Sequence, residues 1–318
     1  MSQFVHEHAK GINAALASAF FLGLSPIFGK LAINFGLPPL GVVGLRTLFA
    51  TCLMLLVMFI FKRAFFYIYP AGLLGCLLAG GINGVGSLLY YGALGRIDAS
   101  LGQIIFALYP LFMVLWLWLD QQDASRLTLF RLFLVLPALF LLISTSNQKV
   151  DILGVVMMIG ASALYALHLP INQRVLYEMP TPTVTFYTLL AMSLIVIPAM
   201  LFSRPTSAPS PQAWEALIVL TLLTFFARLT LFTGVKHLGW LQTALLGLGE
   251  LLITVLFAHL WLSERLNIYQ WLGVAILIIS LVLVKFEKPP KKRQAVGGWL
   301  SWLSPPGITQ DIPWQSHE

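Results

Sequence analysis

Charged residues are scarce in this chain. Lysine, arginine, aspartate and glutamate make up 10% of its 318 residues, and 58% are hydrophobic. A soluble domain carries roughly 25% charged residues, so this shortage, with a mean hydropathy of +0.87, excludes one and defines an integral membrane protein. Cysteine is nearly absent. Cys52 and Cys76 both fall inside apolar runs, which argues against a disulfide framework or a metal site. There is no HExxH, no Walker A loop, no Gly-x-Ser-x-Gly elbow and no cluster of acids in one membrane plane, so neither a cofactor nor a catalytic constellation is expected. The net charge of +7 would suit nucleic acid, but the cations sit at helix ends and in the tail. That pattern fits topology and contact with anionic membrane lipid instead.

Ten hydrophobic runs fill the chain: 12–33, 41–61, 70–92, 99–119, 127–145, 152–172, 183–203, 213–235, 241–262 and 268–286. Each is about the length of a spanning helix. The breaks between them are short, polar or proline-containing, and none is long enough for a soluble domain. Only Ile12 to Ala14 precede the cleavage-like Ala15-Leu16-Ala17 as apolar core, where a signal peptide needs roughly 7–15 apolar residues. The first run is therefore expected to stay as a spanning helix. With the N-terminus inside, eleven loop and tail cations lie inside and four, Arg96, Lys149, Arg204 and Arg265, outside. The bias predicts cytoplasmic N- and C-termini.

The two halves repeat. A shift of 141 residues lays Pro110 on Leu251, Asp123 on Glu264 and Tyr109 on Glu250. A shift of 144 lays Pro26 on Pro170, Lys30 on Arg174 and Pro38 on Pro182. Each half then holds five helices, and an odd number inverts the second half in the membrane. The expected architecture is all-α, with ten transmembrane helices in two inverted five-helix repeats, 11–145 and 152–286, and a cytoplasmic tail over 287–318.

Several stretches carry a family likeness: FFLGLSPIFGKLAI, LRTLFATCLMLL, YYGALGRIDASLGQIIFALYPLFMVLWLWLDQQD and LFTGVKHLGWLQTALLGLGELLITVLFAHLWLSERLN. The chain resembles the EamA-type transporters of the drug/metabolite transporter superfamily from Gly11 to about Val284. The family places a proline in the fourth helix of each half and an acid thirteen residues later. Pro110 and Asp123 fit. Glu264 lies thirteen residues after Leu251, where the proline is replaced, and Glu250 occupies the slot before it. The resemblance implies secondary transport by alternating access in a bacterial plasma membrane. The cargo would be a small organic metabolite or drug-like solute, moved by export or exchange, with proton coupling through Glu250 one reading. A nucleotide-sugar or sugar-phosphate antiporter is the alternative within the superfamily. An intramembrane enzyme or a non-transporting scaffold are the alternatives outside it.

Glu250 organises the site reading, because it stands near the middle of the ninth run while the other eleven acids fall in loops, tails or helix ends. A carboxylate in hydrocarbon normally faces a cavity, a partner charge or a substrate path. Arg228 lies seven residues before Val235, and Glu250 nine after Leu241. At ~1.5 Å per residue their depths differ by only ~3 Å, so an ion pair, permanent or released during transport, is expected. Lys30 and Arg46 lie near outer helix ends, where they can snorkel; Arg46 also resembles an arginine of the family and, with Lys30, is a gate candidate. Tyr90, Tyr91, Gln103, Tyr109, Trp116 and Tyr165 fall on helices that face the family's central cavity, and aromatic walls with a few polar tips suit a small organic ligand. Each also has a plain reading, as core or as interfacial belt. His168 and His259 read as interfacial structural residues, and Asp123 and Glu264 as loop-ordering acids.

Overall fold

Proline starts most of the long helices. In the computed structural model α1 (Ser2–Asn34) is followed by α2 (Pro39–Phe61), α3 (Pro70–Leu94), α4 (Ala99–Phe106) and α5 (Tyr109–Leu119). The second half gives α6 (Ile152–Leu176), α7 (Thr181–Leu201), α8 (Pro211–Leu238), α9 (Trp240–Gly247), α10 (Gly249–Trp261) and α11 (Ile268–Val282). A proline in the first turn of α2, α3, α7 and α8 costs no backbone bond, since that N–H has no partner within the helix. The structure describes residues 2–119, 151–203, 209–261 and 268–283, with scattered positions between 126 and 141. Among the described residues there is no strand. Among these residues seven segments, counting α9 and α10 as one, are long and apolar enough to cross a bilayer. The fifth run lies largely outside the described residues, as do Asp123, Glu264 and the tail.

Two runs expected as single helices are each broken once. The fourth stops at Phe106 and restarts at Tyr109; the ninth stops at Gly247 and restarts at Gly249. The 141-residue shift places these interruptions on one another, and also Pro70 on Pro211. In the first case Pro110 has no N–H for the carbonyl of Phe106, and Ser162 Oγ of α6 donates to that carbonyl at 2.8 Å. In the second the proline is replaced by Leu251, yet the break persists. Gly247 and Gly249 flank Leu248, and glycine is a poor helix former. The N–H of Leu248 turns to the carbonyl of Leu246, and Tyr109 Oη donates to the carbonyl of Ala244 at 2.7 Å. Each break thus has a hydroxyl from the other half on a nearby carbonyl, as a backbone in an apolar interior requires.

Packing crosses between the halves. α1 lies along α8, and α6 lies along α3, which is the same contact with the halves exchanged. α2 packs on α7, and α1 also on α10. The α1–α10 contact is close because Gly23 has no side chain: a Cβ there would stand 2.6 Å from the carbonyl oxygen of Glu250 and 2.6 Å from Ile253 Cβ. Thr254 Oγ1 donates to the carbonyls of Gly23, at 2.6 Å, and Glu250, at 2.9 Å. Between α8 and α9, Gly239 adopts φ 86°, a value that side chains resist.

Candidate functional site

The interruptions in the fourth and ninth runs lie beside a cavity. It is built from both halves: Ser25 of α1, Arg46 of α2, Asn83, Ser87, Tyr90 and Tyr91 of α3, Gln103 and Phe106 of α4, Tyr165 of α6, Arg228 of α8 and Glu250 of α10 line it. Its empty space, mouth included, is about 540 Å³. Glu250 is only 2% exposed, and Arg46 and Arg228 7% each. A carboxyl and two guanidinium groups, all buried, therefore share one space.

Glu250 sits in the first turn of α10, with its backbone fixed by the Gly23 approach and Thr254. Its side chain takes a hydrogen bond from Gln103. The orientation of that amide follows from its other partner: Tyr90 Oη donates to Gln103 Oε1 at 2.9 Å, which leaves the NH₂ for the carboxyl. Oε1 of Glu250 is buried without a protein partner. Arg228 is held by Asn83. With the Asn83 oxygen turned to the guanidinium, it accepts from Nη2 at 2.6 Å and Nη1 at 3.0 Å. Arg46 Nη1 donates to Thr224 Oγ1 at 3.1 Å, and its guanidinium lies 4.5 Å from the ring centre of Tyr91. Nε of Arg46 and Oη of Tyr91 have no partner.

The expected Arg228–Glu250 ion pair is not formed. Both residues line the cavity, but no Arg228 nitrogen lies within 4.0 Å of a Glu250 oxygen. Arg228 is bonded to Asn83 instead, and the Glu250 side chain to Gln103. Arg46 does not snorkel, because α8 and Tyr91 cover it. Lys30 stays apart from the cavity. Its Nζ donates to the carbonyls of Leu94 and Ile97, at 2.8 Å each, where a cation suits the C-terminal end of α3.

Among the aromatic candidates, Tyr90, Tyr91 and Tyr165 line the cavity. Phe106 joins them, edge-on to Tyr90 and tilted by 54° to Tyr165, with centroids 5.1 Å from both. Tyr109 lies behind this wall on the carbonyl of Ala244. Trp116 packs on the core away from the cavity. His168 is buried rather than interfacial, with Nδ1 2.6 Å from the carbonyl of Tyr165, because α6 runs on to Leu176. His259 is exposed on α10. Asn83, Ser87 and Ser25 were not singled out from the sequence. The repeat held the signal: the 141-residue shift carries Ser87 onto Arg228 and Asn83 onto Thr224, the partner of Arg46.

A duplicated helical membrane protein with a charged cavity lined by both halves has the form of a solute carrier. The family model for the EamA-like transporter family matches residues 9–144 and again 152–286, and the chain belongs to that family. It is a multi-pass integral membrane protein of the plasma membrane. The uncharacterized transporter sll1319 of Synechocystis sp. is 26% identical over 216 residues, covering 63% of each chain. The uncharacterized transporter YcbK of Bacillus subtilis is 23% identical over 215 residues, which is 63% of this chain and 68% of that one. One solved crystal structure superposes with a TM-score of 0.71 over 87% of this chain and 97% of its own, at 13% identity; it shares the fold.

Proposed function

We propose that the chain is a secondary transporter that binds a small organic solute in this cavity and exposes it to the two sides of the membrane in turn. The observation that carries the reading is the cavity's construction. Its walls come from both halves, so a relative movement of the halves would open it on one side or the other. Buried ionisable groups at membrane depth are costly and are generally kept for a pathway or a coupling role. Glu250, with one oxygen unpartnered, is the candidate for the coupling proton. Both termini are proposed to be cytoplasmic, and export or exchange is the proposed direction of use.

The test is reconstitution of the full chain into proteoliposomes. Solute exchange and pH-driven accumulation would be measured for wild type and Glu250→Gln. A proton carrier predicts that Glu250→Gln loses accumulation against a gradient and keeps exchange. Equal loss of both would assign Glu250 to solute binding alone. If Glu250→Gln accumulates solute as well as wild type, neither role holds.

A further inference from the structure

The charges in the cavity do not balance. Arg46 and Arg228 contribute two positive charges and Glu250 at most one negative. No nitrogen of either arginine lies within 4.0 Å of a Glu250 oxygen. Guanidinium groups stay protonated at any physiological pH, so the surplus is at least one positive charge whether Glu250 is ionised or not. The two guanidinium groups also repel one another electrostatically.

Among the described residues the protein supplies these arginines with neutral hydrogen-bond partners only. Asn83 accepts two bonds from Arg228, and Thr224 one from Arg46. Each guanidinium has five N–H donors, so both retain capacity. The Nε of Arg46 and the Oη of Tyr91 are buried donors with no acceptor, and the guanidinium and that ring are in contact. A buried charge without a counter-charge is costly. A neutral or cationic guest would leave that cost in place, whereas an anionic one would remove it.

We infer that the cavity takes a small organic anion, its acid group held between Arg46 and Arg228 with Tyr91 Oη donating, and its body against the wall of Tyr90, Phe106 and Tyr165. Arginine favours carboxylate and phosphate through paired N–H bonds, and the mixed apolar lining suits an acid with a hydrocarbon or aromatic body more than an inorganic ion. This inference names the solute class for the transport reading above and rests on it.

The experiment uses the full chain in detergent micelles at constant ionic strength. Acetate, butyrate, phenylacetate and indole-3-acetate are each compared with the corresponding neutral amide, and phenylacetate also with phenethylamine. Binding is read from thermal stabilisation, which rises with ligand concentration over Kd, and from calorimetry. At least one acid is expected to bind tenfold or more tighter than its amide. Arg46→Gln and Arg228→Gln should each lower that affinity by about ten- to a hundredfold, the range for losing a charge-assisted bond. Arg46→Lys, which keeps the charge, should recover part of it and guards against a variant that merely misfolds. If no acid outbinds its amide on the folded wild type, or the amine binds best, the inference is overturned. Exchange in proteoliposomes separates the two claims. Acid that binds but does not exchange leaves the anion site standing and removes the transport reading. Exchange of amide or amine in preference to acid keeps transport and removes the anion.

Discussion

Gly23 and Asp151 show how much single positions decide here. A methyl group at Gly23 would meet a backbone oxygen and a Cβ, neither of which can swing aside. Gly23→Ala should therefore push α1 from α10, cost about 1–3 kcal/mol as an overpacked site, and displace Glu250. A lowered melting temperature with weakened solute binding would be the result; an unchanged melting temperature would mean that the helices yield freely. Asp151, at the water-exposed start of α6, accepts first from Arg96 at 3.0 Å and then from the N–H groups of Gly154 at 3.3 Å and Leu153 at 2.9 Å. These donors hold its carboxyl below the usual 3.8. A lowered folded value means that its contribution is complete above the ordinary value and fades as pH falls through the folded one. Wild type should melt above Asp151→Asn near neutrality, and the gap should close in acid below pH 3.8; a gap independent of pH would remove the ionic part of the explanation.

The broken helices separate what a sequence pattern can and cannot announce. Hydrophobic length located the apolar segments but drew the fourth and ninth runs as single helices. Pro110 in one and Gly247 and Gly249 in the other are the residues that interrupt them. The hydroxyls that close the exposed backbone, from Ser162 and Tyr109, were beyond reach, since they come from other helices at a sequence distance of 56 and 135 residues. The same limit applied to the cavity. Glu250 and Arg228 stood out by charge and depth, while Arg46 read as interfacial because nothing local reveals that Tyr91 and Thr224 would cover it. Ser162→Ala and Tyr109→Phe each leave a buried carbonyl without that donor. Each should lower stability by about 1–3 kcal/mol, measured by denaturation in mixed micelles. A loss below about 0.5 kcal/mol for both would show that the freed carbonyls find other donors.

For the molecule as a whole, the exchange of partners between halves has a measurable consequence. Among the described residues, α1 and α3 have their most extensive packing against α8 and α6, both in the second half. Residues 1–147 and 148–318 made as separate chains should each be degraded when alone and accumulate together when co-expressed. Stable accumulation of the first piece by itself would refute the dependence.

That exchange also sets a schedule for biosynthesis. The ribosome finishes Ser2–Asn34 long before it reaches Pro211–Leu238. At about 5–20 residues per second, the delay is on the order of 10–40 s. Through that interval the first helix is without α8, the helix it packs along. Ser25 can bond to Phe21 of its own helix, but Ser18 meets Ala227 only when the eighth helix arrives. The nascent chain is most exposed to quality-control proteases during this wait, so slowing translation between residues 34 and 211 should reduce yield more than slowing it after residue 238.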